Sequence, residues 1–182
     1  MKSLCLTLLL FCQTAFNNFD FEYSNKKEFV QGIADCTVLA NTFIPPTERV
    51  IILISVAQAV LESDWGQSRF AKVGNNFYGM IEIDPTSRHL KALRNPNIMI
   101  RIYDKKCESV SDYINTLNTH PNFEEYQDLL IKQYISGNID PIAIVKTLKS
   151  YAIDPHYVDK LLNTMGGLLK EYPNIFHLTT KA

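Results

Sequence analysis

The pattern of apolar and polar residues is most distinctive at residues 50–61, which are apolar almost all the way round a helix. Residues 45–47, Pro-Pro-Thr, precede this stretch and are typical of a helix start. The pattern predicts a buried central helix. Its few polar side chains, Ser55, Gln58 and Glu62, recur at spacings of three and four residues. They form one stripe, which we expect to line a cleft.

Apolar positions with helical spacing recur through much of the chain. A first helix is predicted over residues 26–40, where Asn25 is the expected cap and Glu28 follows three residues later. Further helices are predicted around residues 110–117 and over residues 123–136, 141–150 and 156–170.

The period changes from helical to alternating between residues 77 and 103. Residues 81–84 alternate between Ile and acidic side chains, and residues 98–103 place Ile at every second position. Pro85 and Pro96 lie in the connection between them. This segment is therefore predicted to form a β-hairpin beside the helices, and the fold class is predicted to be mainly α (α+β).

Length and composition are typical of one globular domain. The chain has 182 residues, of which 46% are hydrophobic and 20% charged. A formal net charge of -1, with no basic stripe, argues against a nucleic-acid partner. We expect a monomer with one domain over residues 26–170 and a loosely held C-terminal tail at residues 171–182.

The first residues have the pattern of a secretory signal. Lys2 is followed by a short apolar core at residues 4–11, which is too brief to span a bilayer. We expect residues 1–15 to be removed near Ala15, and the protein to be secreted or periplasmic without stable membrane insertion. The alternative is that this stretch is an uncleaved anchor.

Glu62 is the candidate for acid chemistry, because it lies at the end of the most apolar helix of the mature chain. Both desolvation and the negative end of a helix dipole raise the pKa of a carboxylic acid. A Glu in that position keeps its proton near neutral pH and can deliver it to a leaving oxygen. The alternative is that Glu62 is simply the solvated end of a core helix.

The residues after Glu62 form two predicted turns. Gly66 is expected to end the helix in a left-handed cap, and Trp65 beside it is either a core anchor or a surface for stacking sugar rings. Residues 74–76, Gly-Asn-Asn, are expected to form a tight turn.

Three blocks of the sequence resemble a known family. Residues 57–70 (AQAVLESDWGQSRF) and 74–79 (GNNFYG) look like the signature of the bacterial glucosaminidase family, glycoside hydrolase family 73. Residues 108–113 (ESVSDY) and 117–121 (LNTHP) are similar to the Bax-type branch of that family. Residues 151–158 (YAIDPHYV) resemble its closing motif.

The resemblance implies a lysozyme-like helical domain with a small β-lobe, acting on the glycan strand of peptidoglycan. It implies that Glu62 is the catalytic acid of an endo-β-N-acetylglucosaminidase. A lytic transglycosylase or muramidase on the same fold is the alternative enzyme, and a noncatalytic wall-binding module is the alternative of another class.

Glycoside hydrolysis usually needs a second carboxylate. Glu82 is our first choice, because the β-lobe forms the opposite wall of the cleft in lysozyme-like folds. Asp84 and Glu108 are the competitors. The sequence leaves open whether the mechanism is retaining, inverting or assisted by the acetamido group of the substrate.

The closing motif suggests a tyrosine in the sugar site. Tyr151 is favoured and Tyr157 is the alternative, because a phenol can stack on a sugar ring and hold a polar group. The remaining candidates for substrate binding are Trp65, Asn76, Tyr78 and Gln58.

Cys36 and Cys107 remain after removal of the signal, and they either pair or stay as two free buried thiols. The four histidines show no paired spacing, so we expect no metal and no cofactor.

Overall fold

The structure is a computed structural model that describes residues 19–93 and 95–177. Its α-helices are α1 (Lys26–Asn41), α2 (Ile52–Ser63), α3 (Arg69–Gly74), α4 (Lys106–Thr119), α5 (Glu124–Ser136), α6 (Pro141–Lys146), α7 (Tyr157–Glu171) and α8 (Pro173–His177). Short 3-10 helices lie at Pro46–Glu48, Pro121–Phe123 and Thr147–Ser150. The two strands are β1 (His89–Lys91) and β2 (Met99–Arg101).

The core forms around α2, as its apolar sequence predicts. Helix α2 packs against both α1 and α7, and α1 also packs against α4. Ile54 of α2, Ile33 of α1 and Leu161 of α7 are fully buried among these helices. The mainly helical fold class predicted from the sequence is confirmed.

The first helix begins at its predicted cap. The side-chain oxygen of Asn25 accepts a hydrogen bond from the backbone N–H of Glu28 at 3.0 Å, and the Glu28 carboxylate accepts one from the N–H of Ser24 at 2.7 Å. These bonds satisfy backbone donors that the first helical turn leaves unpaired.

The β-lobe differs from the predicted hairpin. Strands β1 and β2 pair antiparallel, with His89 opposite Arg101, and Ile81 makes only an isolated bridge to Ile100. The predicted strand at residues 81–84 is therefore wrong. The side chain of Asp84 accepts hydrogen bonds from the backbone N–H and the hydroxyl of Thr86, and this local turn carries the chain away from the sheet.

A disulfide joins Cys36 in α1 to Cys107 at the start of α4. Their Cα atoms lie 5.2 Å apart, an ordinary separation for a disulfide. The bond closes a loop of 71 residues between two helices of the core. Of the two alternatives left open by the sequence, the structure therefore has the paired cysteines.

Residues 19–25, which we call the N-terminal arm, pack on the domain. Phe21 lies against Gly32 of α1, where an added Cβ would come within 2.0 Å of its ring. The Tyr23 hydroxyl donates to the carbonyl of Gly66 at 2.9 Å. Lys106 binds Glu22 of the arm through an ion pair of 2.8 Å. The arm therefore extends the folded unit beyond the predicted boundary at residue 26.

The chain after α7 is ordered as far as His177, which differs from the expected loose tail. Ile175 and Phe176 of α8 are buried against the core. Residues 178–182 lie outside the described part of the chain, and so does the predicted signal at residues 1–15. No helix within residues 19–93 and 95–177 combines the length and apolar character needed to cross a bilayer.

Candidate active site

Glu62 lies in the last turn of α2, one residue before its end at Ser63. The helix ends earlier than expected, because Asp64 and Trp65 already have left-handed backbone angles, with φ of 50° and 56°, before Gly66. The N–H of Trp65 bonds back to the carbonyl of Val60 at 3.1 Å, the closing bond of a Schellman cap.

The polar stripe of α2 points mainly into the core and not into an open cleft. Ser55 and Gln58 are fully buried, whereas Glu62 keeps part of its surface exposed. The Ser55 hydroxyl shares hydrogen bonds with Thr37 at 2.8 Å and with Tyr78 at 2.9 Å. The expectation that the stripe lines a cleft is thus wrong for its first two members.

Four aromatic side chains, which we call the tyrosine cluster, surround the buried part of the stripe: Tyr78, Tyr113, Tyr151 and Tyr157. The rings of Tyr78 and Tyr113 stack with centroids 4.0 Å apart, and those of Tyr151 and Tyr157 stack at 5.6 Å. Tyr113 meets Tyr151 edge to face at 6.3 Å.

A chain of hydrogen bonds runs through this cluster and ends at Tyr157, beside Glu62. The Tyr113 hydroxyl donates to the Oε1 atom of Gln58, and the Nε2 atom of Gln58 donates to the Tyr157 hydroxyl at 2.8 Å. The Tyr157 hydroxyl in turn interacts with the Glu62 carboxyl group and lowers its pKa, against the larger effect of burial. The closing motif and the central helix therefore meet at Glu62.

Burial raises the pKa of Glu62 above its ordinary value, and the hydrogen bond from Tyr157 opposes that rise in part. Burial also raises the pKa of Tyr157, and the negative charge of Glu62 raises it further. The tyrosine therefore stays protonated, and Glu62 is held in an environment that favours its neutral form.

The three candidates for a second carboxylate all accept hydrogen bonds from N–H groups of the nearby backbone. Glu82 accepts hydrogen bonds from the N–H groups of Ile83 at 2.9 Å and Asp84 at 3.1 Å. The bond from Asp84 contributes most to the lowered pKa of Glu82. Asp84 itself holds an exposed turn. Glu108 accepts from the N–H groups of residues 104 and 105 and caps α4.

Arg101 distinguishes Glu82 from its competitors. Its Nε atom donates to Glu82 at 3.2 Å, and its NH1 atom donates to Asp112 of α4 at 2.6 Å. The Tyr103 hydroxyl also donates to Asp112. Glu82 is thus a partly buried carboxylate held by a cation, which keeps it ionised.

Asn76 and Tyr78, which we expected to bind substrate, are buried and hydrogen-bonded to other parts of the protein. The Asn76 side chain accepts from the N–H of Met80 at 3.0 Å and donates to the carbonyls of Met80 and Arg101. Tyr78 is engaged by Ser55 and by the ring of Tyr113. Gln58, also fully buried, likewise contacts protein groups.

The two tyrosines of the closing motif have different surroundings. The Tyr151 hydroxyl donates to the backbone carbonyl of Tyr78 at 2.9 Å, while part of the residue stays exposed. Tyr157 is 3% exposed and contacts the candidate acid. Of these two tyrosines, Tyr157 is the one whose hydroxyl lowers the pKa of Glu62.

Trp65 belongs to a neighbouring pocket of about 300 Å³. The ammonium of Lys26 lies 4.3 Å from the centroid of its ring, and the side chain is partly buried against the core. The pocket is lined by residues from the end of α2 and from α7: Val60, Leu61, Asp64, Trp65, Thr164, Gly167, Leu168 and Glu171. Glu62 is not one of them.

Sequence reasoning did not single out Tyr113, Arg101 or Asp112. Tyr113 lies in the family-like block 108–113 and on an apolar helical face, and neither observation gave it a role in the site. A Tyr among aliphatic positions is the available signal, since a buried hydroxyl requires a hydrogen-bond partner. Within the described ranges, no group of three or more His, Cys, Asp or Glu side chains is arranged to hold a metal ion.

The sequence of this chain is similar to those of known proteins. The family model described as mannosyl-glycoprotein endo-beta-N-acetylglucosaminidase matches residues 47–170, more than half of the chain. The exo-glucosaminidase LytG of Bacillus subtilis is 30% identical over 124 residues, which are 62% of this chain and 42% of LytG. The peptidoglycan hydrolase FlgJ of Escherichia coli K12 is 27% identical over 122 residues, or 59% and 37% of the two chains. The chain thus spans less than half the length of these relatives.

Solved structures share the fold. The catalytic domain of the autolysin Auto from Listeria monocytogenes superposes with a TM-score of 0.61 at 18% identity, covering 91% of this chain and 93% of that one. A peptidoglycan hydrolase from Sphingomonas sp. A1 gives a TM-score of 0.60 at 23% identity, with coverage of 81% and 93%. The fold and the family model agree, and the chain belongs to the glucosaminidase family.

Proposed function

We propose that the protein is a peptidoglycan hydrolase that cuts the glycan strand after N-acetylglucosamine. The observation that carries this proposal is Glu62, a partly buried carboxylic acid with a raised pKa at the end of the central helix. Family membership and the activities named for LytG and FlgJ support the substrate class.

In the proposed reaction Glu62 protonates the glycosidic oxygen as the bond to the anomeric carbon breaks. The dry surroundings keep the proton on the acid before the reaction. After the transfer, the carboxylate accepts the hydrogen bond of Tyr157, which stabilises the new charge. Tyr157 therefore acts directly on the catalytic group, and Tyr151 and Trp65 are proposed to contact the sugar.

We propose Glu82 as the second carboxylate. Its lowered pKa gives it the charge that a general base, or a group stabilising positive charge on the sugar, requires. Attack by the acetamido group of the substrate is the alternative, and it needs only an ionised carboxylate to orient that group.

We infer that the protein acts outside the cytoplasm as a monomer. The Cys36–Cys107 disulfide supports the location outside the cytoplasm, because such bonds persist in oxidising compartments. The signal-like pattern of residues 1–15 and the location of the proposed substrate point the same way.

Digestion of purified murein by the wild type and by the Glu62→Gln variant tests the proposal. Glutamine keeps the shape of the side chain and removes its proton, so the rate should fall by a factor of about 100 to 10,000. Mass spectrometry of the wild-type products should find reducing ends on N-acetylglucosamine.

Other products would identify the alternatives. Anhydro ends, lighter by one water, would indicate a lytic transglycosylase, and reducing ends on N-acetylmuramic acid would indicate a muramidase. Tight binding of murein without any cleavage by the wild type would indicate a wall-binding module. Unchanged cleavage by Glu62→Gln would remove Glu62 from the mechanism.

A further inference from the structure

Gln58 is a fully buried carboxamide between two tyrosine hydroxyls. Its oxygen accepts from Tyr113, and its nitrogen donates to Tyr157 at 2.8 Å. Each hydroxyl lies on a different helix, Tyr113 on α4 and Tyr157 on α7. One amide therefore links three helices of the core at the point where the proposed acid lies.

The direction of this hydrogen-bond chain is set at Tyr113. A phenol has one proton, and Tyr113 gives it to the oxygen of Gln58. The amide nitrogen therefore faces Tyr157, and because an NH₂ group only donates, the Tyr157 oxygen must accept. The single proton of Tyr157 is then free to point toward the carboxyl group of Glu62, whose charge raises the pKa of this phenol.

We propose that Gln58 and Tyr113 are positioning residues, which act through Tyr157 to point its hydroxyl proton at the carboxylate of Glu62. The inference deepens the proposed function and rests on it, since it concerns the acid assigned there. Tyr113 lies two hydrogen bonds away from Tyr157 and is fully buried, so its contribution is one of direction and not of contact with the sugar.

Tyr151 and Tyr157 are two titratable side chains whose pKa the charge of Glu62 raises. Burial is the first cause that raises the pKa of both phenols, and the charge of Glu62 adds to it. Both stay neutral while Glu62 titrates. A change in the titration of Glu62 therefore reports on the hydrogen bond that it accepts.

The Tyr113→Phe variant removes the proton that fixes the amide of Gln58. The amide can then turn over, because an NH₂ group packs acceptably against an aromatic ring, whereas an unpaired buried oxygen does not. Its oxygen would then take the Tyr157 proton away from Glu62. The pKa of Glu62 should rise by about 0.5 or more, since a carboxylate that loses a donor is harder to ionise.

Tyr126→Phe is the matched control. Tyr126 is also fully buried on a neighbouring helix, but its hydroxyl has no hydrogen-bond partner within the described part of the protein. Both variants lose one buried phenolic oxygen. Only the Tyr113→Phe variant should change the pKa of Glu62.

The pKa of Glu62 is measured by carbon-13 NMR of its carboxyl group, with thermal unfolding to show that each variant is folded. A Tyr157→Phe background tests the route, because without that hydroxyl the Tyr113→Phe change should have no further effect. An equal pKa in the two single variants, or a shift that persists in the Tyr157→Phe background, would overturn the inference.

Murein cleavage adds a separate readout. In Tyr113→Phe the alkaline limb of the pH profile of kcat/KM should move upward by the same amount as the pKa, because the acid keeps its proton to higher pH. The titration needs no substrate. A wild type that fails to cleave murein would therefore count against the proposed function, while the titration would still decide the role of Tyr113.

Discussion

At the residue scale, burial of Glu62 carries a cost whenever its carboxyl group is ionised. Burial disfavours its ionised form, and its one described donor, Tyr157, only partly offsets this. Above the ordinary pKa of 4.5 the folded state holds this proton more tightly than the unfolded chain does. The contribution of Glu62 to stability is therefore complete below that pH, and it is lost as pH rises through the raised folded pKa.

Glu62→Gln should consequently stabilise the protein near neutral pH. Glutamine is never charged, so the variant keeps the stability that the wild type loses as Glu62 ionises. The difference in Tm should grow from pH 4 to pH 8 in thermal scans followed by circular dichroism. Asp128→Asn removes an exposed carboxyl of α5 and serves as the control, whose Tm should follow the wild type. A constant difference across this range would argue against the burial of a charge at Glu62.

Gly66 is required both by its backbone angle and by the lack of space around it, and comparison with Gly137 distinguishes the two effects. Its φ of 75° suits glycine, and an added Cβ would lie 2.6 Å from the Tyr23 hydroxyl oxygen and 2.8 Å from the ring of Phe29. Gly137 has a similar φ of 69° but open space around it. Gly137→Ala should cost about 1 kcal/mol in the free energy of unfolding, the price of the backbone angle alone.

Gly66→Ala should cost more than about 3 kcal/mol, because crowding adds to the backbone term. Urea unfolding of both variants measures the difference. Equal losses of stability in the two variants would mean that Tyr23 and Phe29 move aside without cost.

At the element scale, Asn76, two residues after the end of α3, helps to join the β-lobe to the helices. Asn76 makes three hydrogen bonds to the chain entering and leaving the lobe, all at 2.9 or 3.0 Å. Arg101 then ties the lobe to α4 through Asp112. The position of Glu82 relative to the helical core depends on these contacts.

Asn76→Ala should lower the free energy of unfolding by about 2 to 4 kcal/mol, since it leaves buried backbone groups unpaired. Hydrogen exchange should show faster exchange at the backbone N–H of Met80, which loses its acceptor. Asn97→Ala, at an exposed position of the same lobe, is the control and should change neither quantity. Unchanged exchange at Met80 would show that the lobe is held elsewhere.

Helical periodicity predicted most elements, because one buried face is enough to fix a helix of this length. The spacing of Val110, Tyr113 and Leu117 correctly predicted α4, and Asn25 correctly marked the start of α1. The strand at residues 81–84 was wrong because alternation over four residues is a weak signal, and the turn at Asp84 overrides it.

The candidate site was predicted less completely than the fold. The family motif pointed to Glu62 and to Tyr151, with Tyr157 as the alternative, and in the structure the hydroxyl of Tyr157 interacts with Glu62. Gln58 was expected to bind substrate because it shares a helix face with Glu62. The spacing of polar residues identifies such a face but does not show which residues cover it. The partner of Gln58 on α4, Tyr113, is 55 residues away in sequence, and no local pattern encodes such a contact.

At the scale of the whole molecule, the disulfide is the covalent constraint on the helical core. It closes 71 residues, and the chain-entropy model assigns about 4 kcal/mol to a loop of that size. Both sulfurs are buried, in α1 and at the start of α4. Cys36→Ser with Cys107→Ser should therefore lower the Tm strongly, while the folded protein keeps its proposed activity at low temperature.

Differential scanning calorimetry with and without a reducing agent tests this prediction. The wild type should lose stability on reduction, and the double variant should not respond to the reductant. A wild type with the same Tm before and after complete reduction, verified by thiol titration, would contradict it.

The N-terminal arm gives the domain a boundary that sequence similarity does not reveal. The family match begins at residue 47, yet α1 and the arm supply Phe21, Tyr23 and Phe29 to the aromatic packing around Phe77. A fragment trimmed to residues 47–170 would expose that apolar surface and leave Cys107 as an unpaired thiol. Such a fragment is expected to aggregate on expression, so a piece suited to recombinant production should keep the N-terminal arm.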